Sequence, residues 1–272
     1  MDNSKQFSGL WGVVLGGSSG FGFAAVEKLV AHGLNIVLLY RETAQLEKLL
    51  TEKILLLRER SEVNILLCNI NALDASGRAD FLKQFKETAG KDAKIRLLLH
   101  SVARGNLKPL VAPQLLDNNA GEIISIEDIQ LTAYAMCHSL LDWTRMLLQE
   151  DLFYSDARVI GLTSEGAHKY WGSYAAVSIA KASLESLATY MAVEMAKYGI
   201  RTNLIQAGIT ETPSLKKIAG SEELLDVAKS RNPMGRITVP EDVANVIYLL
   251  CTNEAAWING AVIHVDGGEH CR

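Results

Sequence analysis

A glycine-rich run, Gly16-Gly17-Ser18-Ser19-Gly20-Phe21-Gly22, follows directly on the apolar stretch Trp11–Leu15 and leads into the helical pattern FAAVEKLVAHG. Glycines at 16, 20 and 22 make GxxxGxG. Such a loop turns tightly and lets backbone come close to a diphosphate held at a helix N-terminus. A glycine-rich turn that merely joins a strand to a helix has the same composition. The strand before, the helix after and the place near the chain start favour dinucleotide binding, with Ser18, Ser19 and Phe21 inside the loop. At the end of the second apolar run the sequence reads LLYRET: Tyr40 stands where an acidic residue would meet a free ribose 2′-hydroxyl, and Arg41 comes next. A carboxylate would repel a 2′-phosphate, whereas arginine binds one bidentately, so NADP(H) is favoured over NAD(H). The competing reading of Arg41 is a solvated arginine at a helix start.

The elements that must hold this loop are legible as an alternation. Strands are expected over Trp11–Leu15, Asn35–Tyr40, Val63–Cys68, Ile95–His100, Arg158–Leu162, Thr202–Gln206 and Ala261–Val265. Their unbroken apolar character suits parallel strands covered on both faces. Helical patterns fill the intervals at Gly22–His32, Glu42–Arg58, Asp74–Thr88, Ile124–Gln149, Ser173–Tyr198 and Pro240–Leu250. The alternation predicts an α/β fold: one Rossmann domain with a doubly wound, seven-stranded parallel sheet, over residues 8–268. Two segments are expected to be irregular, Gly105–Gly121 and Ile209–Pro233. Both would lie beyond the carboxyl ends of the strands, where ligands bind in such sheets.

Composition limits the function classes. The 272 residues are 49% hydrophobic and 21% charged with a net charge of −4, which excludes a disordered or fibrous chain and argues against a nucleic-acid surface. Cysteines at 68, 137, 251 and 271 show no CxxC pair. That usage is cytosolic, each thiol reads as a small hydrophobe or an incidental surface group, and no metal is called for. The first residues show no charged region followed by a long apolar core, and no apolar run is long enough to span a membrane.

GxxxGxG, the strand order, SYAAVSIAK, NPMGRITVPEDVA and INGAVIHVDGG together resemble the short-chain dehydrogenase/reductase family, across essentially the whole chain. That family's usual tyrosine, four residues before a lysine, is absent: Val177 stands four before Lys181. Tyr174 lies seven before it. Seven helical residues turn through about 700°, so Tyr174 and Lys181 share a face but stand ~10 Å apart along the axis. The spacing resembles the enoyl-acyl-carrier-protein reductase branch, closest to its NADPH-dependent type. The resemblance implies reduction of a carbon–carbon double bond conjugated to a thioester in fatty acid elongation. Tyr174 would stabilise the enolate at the distant carbonyl oxygen and Lys181 would hold the nicotinamide ribose. The carrier would be acyl-carrier protein or CoA. A homotetramer or homodimer is also implied.

Further positions follow from the same resemblance. LLLHSVARG looks like the HSxA segment of the enoyl reductases, placing Ser101, Val102 and Ala103 at the cofactor, with Ala103 also at the substrate. His100 reads as a strand-end histidine satisfied by backbone partners. Asn69 stands where an aspartate usually contacts the adenine, with Ile70 next. Ala207 replaces the proline of the family's PGxxxT segment, but Gly208 and Thr212 keep its spacing, and Ile209 backbone would hold the carboxamide. Residues 213–230 read as a substrate lid; Lys216 and Lys217 within it read as a solvated face. Ser164, seventeen residues before Lys181, either bonds the substrate carbonyl or caps the strand end. Tyr170 either lines the substrate pocket or is a surface aromatic. The helical stripe Ala180, Leu184, Leu187, Met191 and Met195 reads as core or subunit interface. Two other functions stay open: a ketone or alcohol reductase of the same family, and a non-catalytic NADP(H)-binding module.

Overall fold

Seven apolar runs become seven strands, β1 (Leu10–Leu15), β2 (Asn35–Tyr40), β3 (Ile65–Asn69), β4 (Lys94–His100), β5 (Phe153–Thr163), β6 (Ile200–Ala207) and β7 (Val262–Val265). The computed structural model describes residues 6–111, 123–217 and 221–272. All pairings are parallel, in the order β3-β2-β1-β4-β5-β6-β7. The order reverses beside β1, whose neighbours are β2 and β4, and this opens a crevice at the strand ends.

The strands are apolar on both faces because both faces are covered. Trp11, Val13 and Leu15 of β1 join Phe81, Phe85, Trp143, Leu184 and Met191 on one side. Val14 joins Val26, Leu29, Leu50, Ile54, Val243 and Ile247 on the other. The first layer comes from α3 (Ala75–Ala89), α5 (Ser139–Gln149) and α6 (Ala175–Glu194); the second from α1 (Gly20–Val30), α2 (Ala44–Glu59) and α8 (Pro240–Cys251). Leu184, Met191 and Met195 are buried in this core with Leu187 partly buried against it, and Ala180 packs with Met136 and Val177, so the stripe on α6 packs inward.

Two helical expectations change. The pattern Ile124–Gln149 is not one helix: α4 (Ile126–Ala133) passes through a π turn, Tyr134–His138, before α5 begins. The Ser139 hydroxyl donates to the Ala135 carbonyl at 3.0 Å and also meets His100, drawing the backbone wide at the place where a strand-end ring must fit. The segment Ile209–Pro233, expected to be irregular, contains α7 (Ser221–Arg231). Only Ala228 is buried, and the apolar residues Leu224, Leu225, Val227 and Ala228 fill little more than one turn, too short a run to show a period. Much of the other irregular segment, residues 112–121, lies outside the described residues. Ser173 holds a left-handed backbone at φ 59°, which delays the start of α6 to Ala175.

Below the sheet, opposite the crevice, three arginines meet Asp156. Arg96 and Arg158, both inside the protein, pair with it at 2.5 and 2.6 Å, and Arg201 also contacts it. The same guanidinium groups donate to the carbonyls of Leu250 (2.7 Å), Cys251 (2.7 Å) and Thr252 (3.3 Å), at the end of α8. Cations there suit the negative end of the helix. Burial pushes the Asp156 carboxyl up, but Arg158 and Arg96 outweigh it and hold it at about 2. A depressed carboxylate contributes stability above its unfolded value and loses it as pH falls. Acid unfolding should therefore include a loss of about 2 kcal/mol between pH 4 and 2. Asp156→Asn should remove that component and destabilise the protein by about 3 kcal/mol at pH 7, as read by denaturant titration.

Candidate active site

The loop after β1 is shaped by missing side chains. A Cβ on Gly16 would lie 2.6 Å from the Ser101 carbonyl oxygen, and Gly16 has φ 78°. A Cβ on Gly22 would lie 2.3 Å from the Gly16 carbonyl oxygen. The first glycine makes the turn and lets β4 come close; the third seats α1 on the loop. Ser19 caps α1 without using its side chain, and the first turn carries no acidic residue. The first amides of α1 thus face the cleft as free donors beside the positive helix end, which fits a diphosphate.

The cleft has a volume of about 1380 Å³ and runs from α2 across the loop to α7. Gly16, Ser18, Ser19, Gly20, Phe21, Arg41, Ser101, Val102, Ala103, Ser164, Tyr174, Lys181, Gly208, Ile209 and Thr212 all line it. Sequence positions from five strand ends thus converge. Four residues named in the sequence do not face it. Gly22 lies beneath the loop. The Asn69 amide is spent on the Glu42 backbone and the Glu47 carboxylate, pinning the turn between β2 and α2. Ile70 donates its N–H to the Tyr40 carbonyl, continuing the sheet. Tyr170 is 91% exposed and is a surface aromatic.

The reactive end is built on α6 and the loop after β5. Tyr174 is the N-cap of α6 and Lys181 lies two turns on. Lys181 is buried, and its ammonium donates to the Leu162 carbonyl at 2.6 Å. Burial lowers its pKa to about 8. The Tyr174 hydroxyl lies 3.4 Å from Ser164 Oγ, which also accepts the Gly166 N–H at 3.1 Å. Burial raises the phenol's pKa, so it stays protonated and able to donate. Ser164 caps the turn after β5, as one of its two readings has it, and its hydroxyl also touches the tyrosine. Gly166 and Trp171 escaped the sequence reading. A Cβ on Gly166 would stand 2.6 Å from the Tyr174 ring, so this glycine sets where the phenol lies. The only sequence clue is a glycine in a short polar loop, TSEGAH.

His100 differs from its expectation. Its Nε2 meets the Ser139 hydroxyl at 2.8 Å, a side chain and not backbone, while Nδ1 is buried without a hydrogen-bond partner. Full burial, aided by nearby Lys181, pushes its pKa down to about 3 and keeps the ring neutral. At the cofactor's expected far end, Glu42 was also missed: its carboxylate accepts from Ser18 Oγ at 2.8 Å, beside Arg41. Ile209 N–H is engaged by the Glu269 carboxylate at 3.2 Å. Arg231 of α7 ties Glu269 (2.7 Å) to Glu165 (2.5 Å), fastening the expected lid to the loop after β5. Leu215, Glu223, Leu224 and Val227 of this lid line the cleft.

A doubly wound sheet, a glycine loop at its switch point and a tyrosine–lysine pair in the same cleft define a nicotinamide-dependent oxidoreductase of the short-chain type. A family model described as enoyl-(acyl carrier protein) reductase matches residues 16–270, and the chain belongs to this family. It is 32% identical over 191 residues to enoyl-[acyl-carrier-protein] reductase [NADH] FabI of Aquifex aeolicus, covering 70% of this chain and 66% of that one. It is 28% identical over 269 residues to tropinone reductase homolog At2g29340 of Arabidopsis thaliana, covering 98% and 81%. The crystal structure of the Aquifex aeolicus VF5 enoyl-[acyl-carrier-protein] reductase (NADH) superposes with a TM-score of 0.81 at 26% identity, covering 98% of each chain. Among the described residues no helix is long and apolar enough to cross a membrane.

Gly16→Ala tests the dinucleotide loop. The positive φ and the Ser101 contact should weaken nicotinamide dinucleotide binding by about 100-fold, measured by fluorescence titration, while the circular dichroism spectrum is retained.

Proposed function

We propose that the protein reduces the 2,3 double bond of trans-2-enoyl thioesters, carried on acyl-carrier protein or CoA, in cytoplasmic fatty acid elongation. One observation carries this reading: Val177 is buried four residues before Lys181, and the hydroxyl in the cleft belongs to Tyr174, a further turn away. A donor set back from the lysine suits a carbonyl oxygen displaced from the carbon that is reduced. The dinucleotide, when bound, supplies hydride. Its diphosphate fits the amides of α1, and the Lys181 ammonium, fixed by the Leu162 carbonyl, is placed for ribose hydroxyls. The Tyr174 hydroxyl donates to the thioester oxygen as negative charge develops there. Ser164 orients that hydroxyl. Exposed Ile179, Tyr190 and Val193 on α6, with Ile126 and Leu131 on α4, support a homotetramer or homodimer.

Reduction of a ketone, or oxidation of the corresponding alcohol, is the second reading, favoured by the long match to the tropinone reductase homolog and by Ser164 beside Tyr174. Oxidation of NADH or NADPH should be followed with a short trans-2-enoyl thioester and, in parallel, with a 3-oxoacyl thioester. Tyr174→Phe is expected to lower enoyl turnover by at least about 100-fold while dinucleotide binding is kept. Ketone turnover without enoyl turnover would replace the first reading by the second, and binding without either would leave a non-catalytic module.

The choice between NADPH and NADH is the balance of two neighbours. Arg41 favours a 2′-phosphate; Glu42, held by Ser18, favours a free 2′-hydroxyl. The NADPH preference read from the sequence rests on Arg41. Arg41→Ala should lower kcat/KM for NADPH about tenfold relative to NADH, and Glu42→Gln should raise it by a similar factor. Equal ratios in both variants would remove these side chains from cofactor selection.

A further inference from the structure

Past β7 the chain makes a tight turn, and three side chains fall in line along it: Asp266, His270 and Cys271. The Asp266 carboxylate is buried and fully engaged. Oδ1 accepts the Gly268 N–H at 2.9 Å, and Oδ2 accepts the His270 N–H at 3.1 Å. Oδ2 also lies 2.6 Å from His270 Nδ1. Burial raises the Asp266 pKa, but the two backbone donors and His270 outweigh it and hold it below the ordinary value. The carboxylate is thus an acceptor only, and the imidazole proton sits on Nδ1. Nε2 is left as the acceptor, and it lies 3.5 Å from Cys271 Sγ. The ring is steadied by His264, stacked on it at 3.9 Å and 15°.

A thiol facing the free nitrogen of an imidazole that a carboxylate orients is the arrangement that makes a sulfur nucleophilic. Nε2 takes the thiol proton, and Asp266 stabilises the imidazolium that results. Of the other charged groups nearby, Glu269 faces Arg231 and the Ile209 N–H, across the adjoining hollow Arg236 and Asp242 pair at 2.6 Å, and Arg272 follows Cys271 directly. Cys271 is exposed, whereas Cys68, Cys137 and Cys251 are buried. We propose that Cys271 is a thiol–disulfide exchange site, activated by His270 and Asp266, that takes small disulfides. The Cys271 thiolate attacks one sulfur of the disulfide; a Cys271–sulfur bond forms, the original sulfur–sulfur bond breaks, and the second sulfur leaves as thiolate. The proton on His270 neutralises that leaving group or passes to water. His270 and Asp266 also line the large cleft, so the attached group would sit at its rim.

The test is the reaction of the folded, full-length protein with 5,5′-dithiobis(2-nitrobenzoic acid). One fast thiol equivalent per chain is expected, absent in Cys271→Ser. His270→Gln should slow the reaction about tenfold at pH 7. A His270→Gln rate within twofold of wild type overturns the proposal. Should His270→Gln fail to fold, the same comparison with His270→Asn decides.

Discussion

The grip of Arg96 and Arg158 on the end of α8 is the contact on which the working face depends, although it lies at the opposite edge of the sheet. Two buried guanidinium groups, both paired with Asp156, take up the last carbonyls of α8 and join that helix to β4 and β5. Helix α8 packs against α1 through Val243, Ile247, Val26 and Leu29. Helix α1 in turn aims its first amides at the diphosphate position. The direction of a dipole in the cleft is thus fixed by charges buried beneath the strands, where water cannot screen them.

Around the cleft the same economy recurs: each reactive group is held by a neighbour that gives up its own solvation. Lys181 is kept by the Leu162 carbonyl, Tyr174 by Ser164, and Ser164 by the Gly166 amide. The space for the phenol exists because residue 166 has no Cβ. Helix α7 adds a second layer, linked through Arg231 to Glu165 beside Ser164 and to Glu269 beside Ile209. A movement of α7 would therefore be felt at both Ser164 and Ile209.

The strands were legible because a parallel strand covered on both faces carries a continuous apolar run, as at Asn35–Tyr40. The glycine loop was legible because three glycines at fixed spacing have a steric reason that local sequence contains. What escaped depends on partners distant in the chain. His100 and Ser139 are 39 residues apart, and Ser18 and Glu42 are 24 apart, so neither bond has a local signature. Asn69 carried a chemically reasonable amide, but Glu42 and Glu47 had already claimed it. Helix α7 was hidden because its apolar residues, Leu224 to Ala228, fill little more than one turn, too short a run to show a period.

The π turn at Tyr134–His138 has a consequence for how this helix and its relatives are aligned. One residue more per turn advances the helix by roughly 100° of azimuth. Residues before the turn and after it thus answer to different phase origins: Ala133 packs with Val177, while Leu140 and Trp143 face the sheet. A sequence lacking that residue would need a one-position gap here, in the middle of a helix, to bring equivalent side chains into correspondence. Insertions and deletions are ordinarily placed in loops, and in this protein that habit would misassign every residue from the π turn to the end of α5.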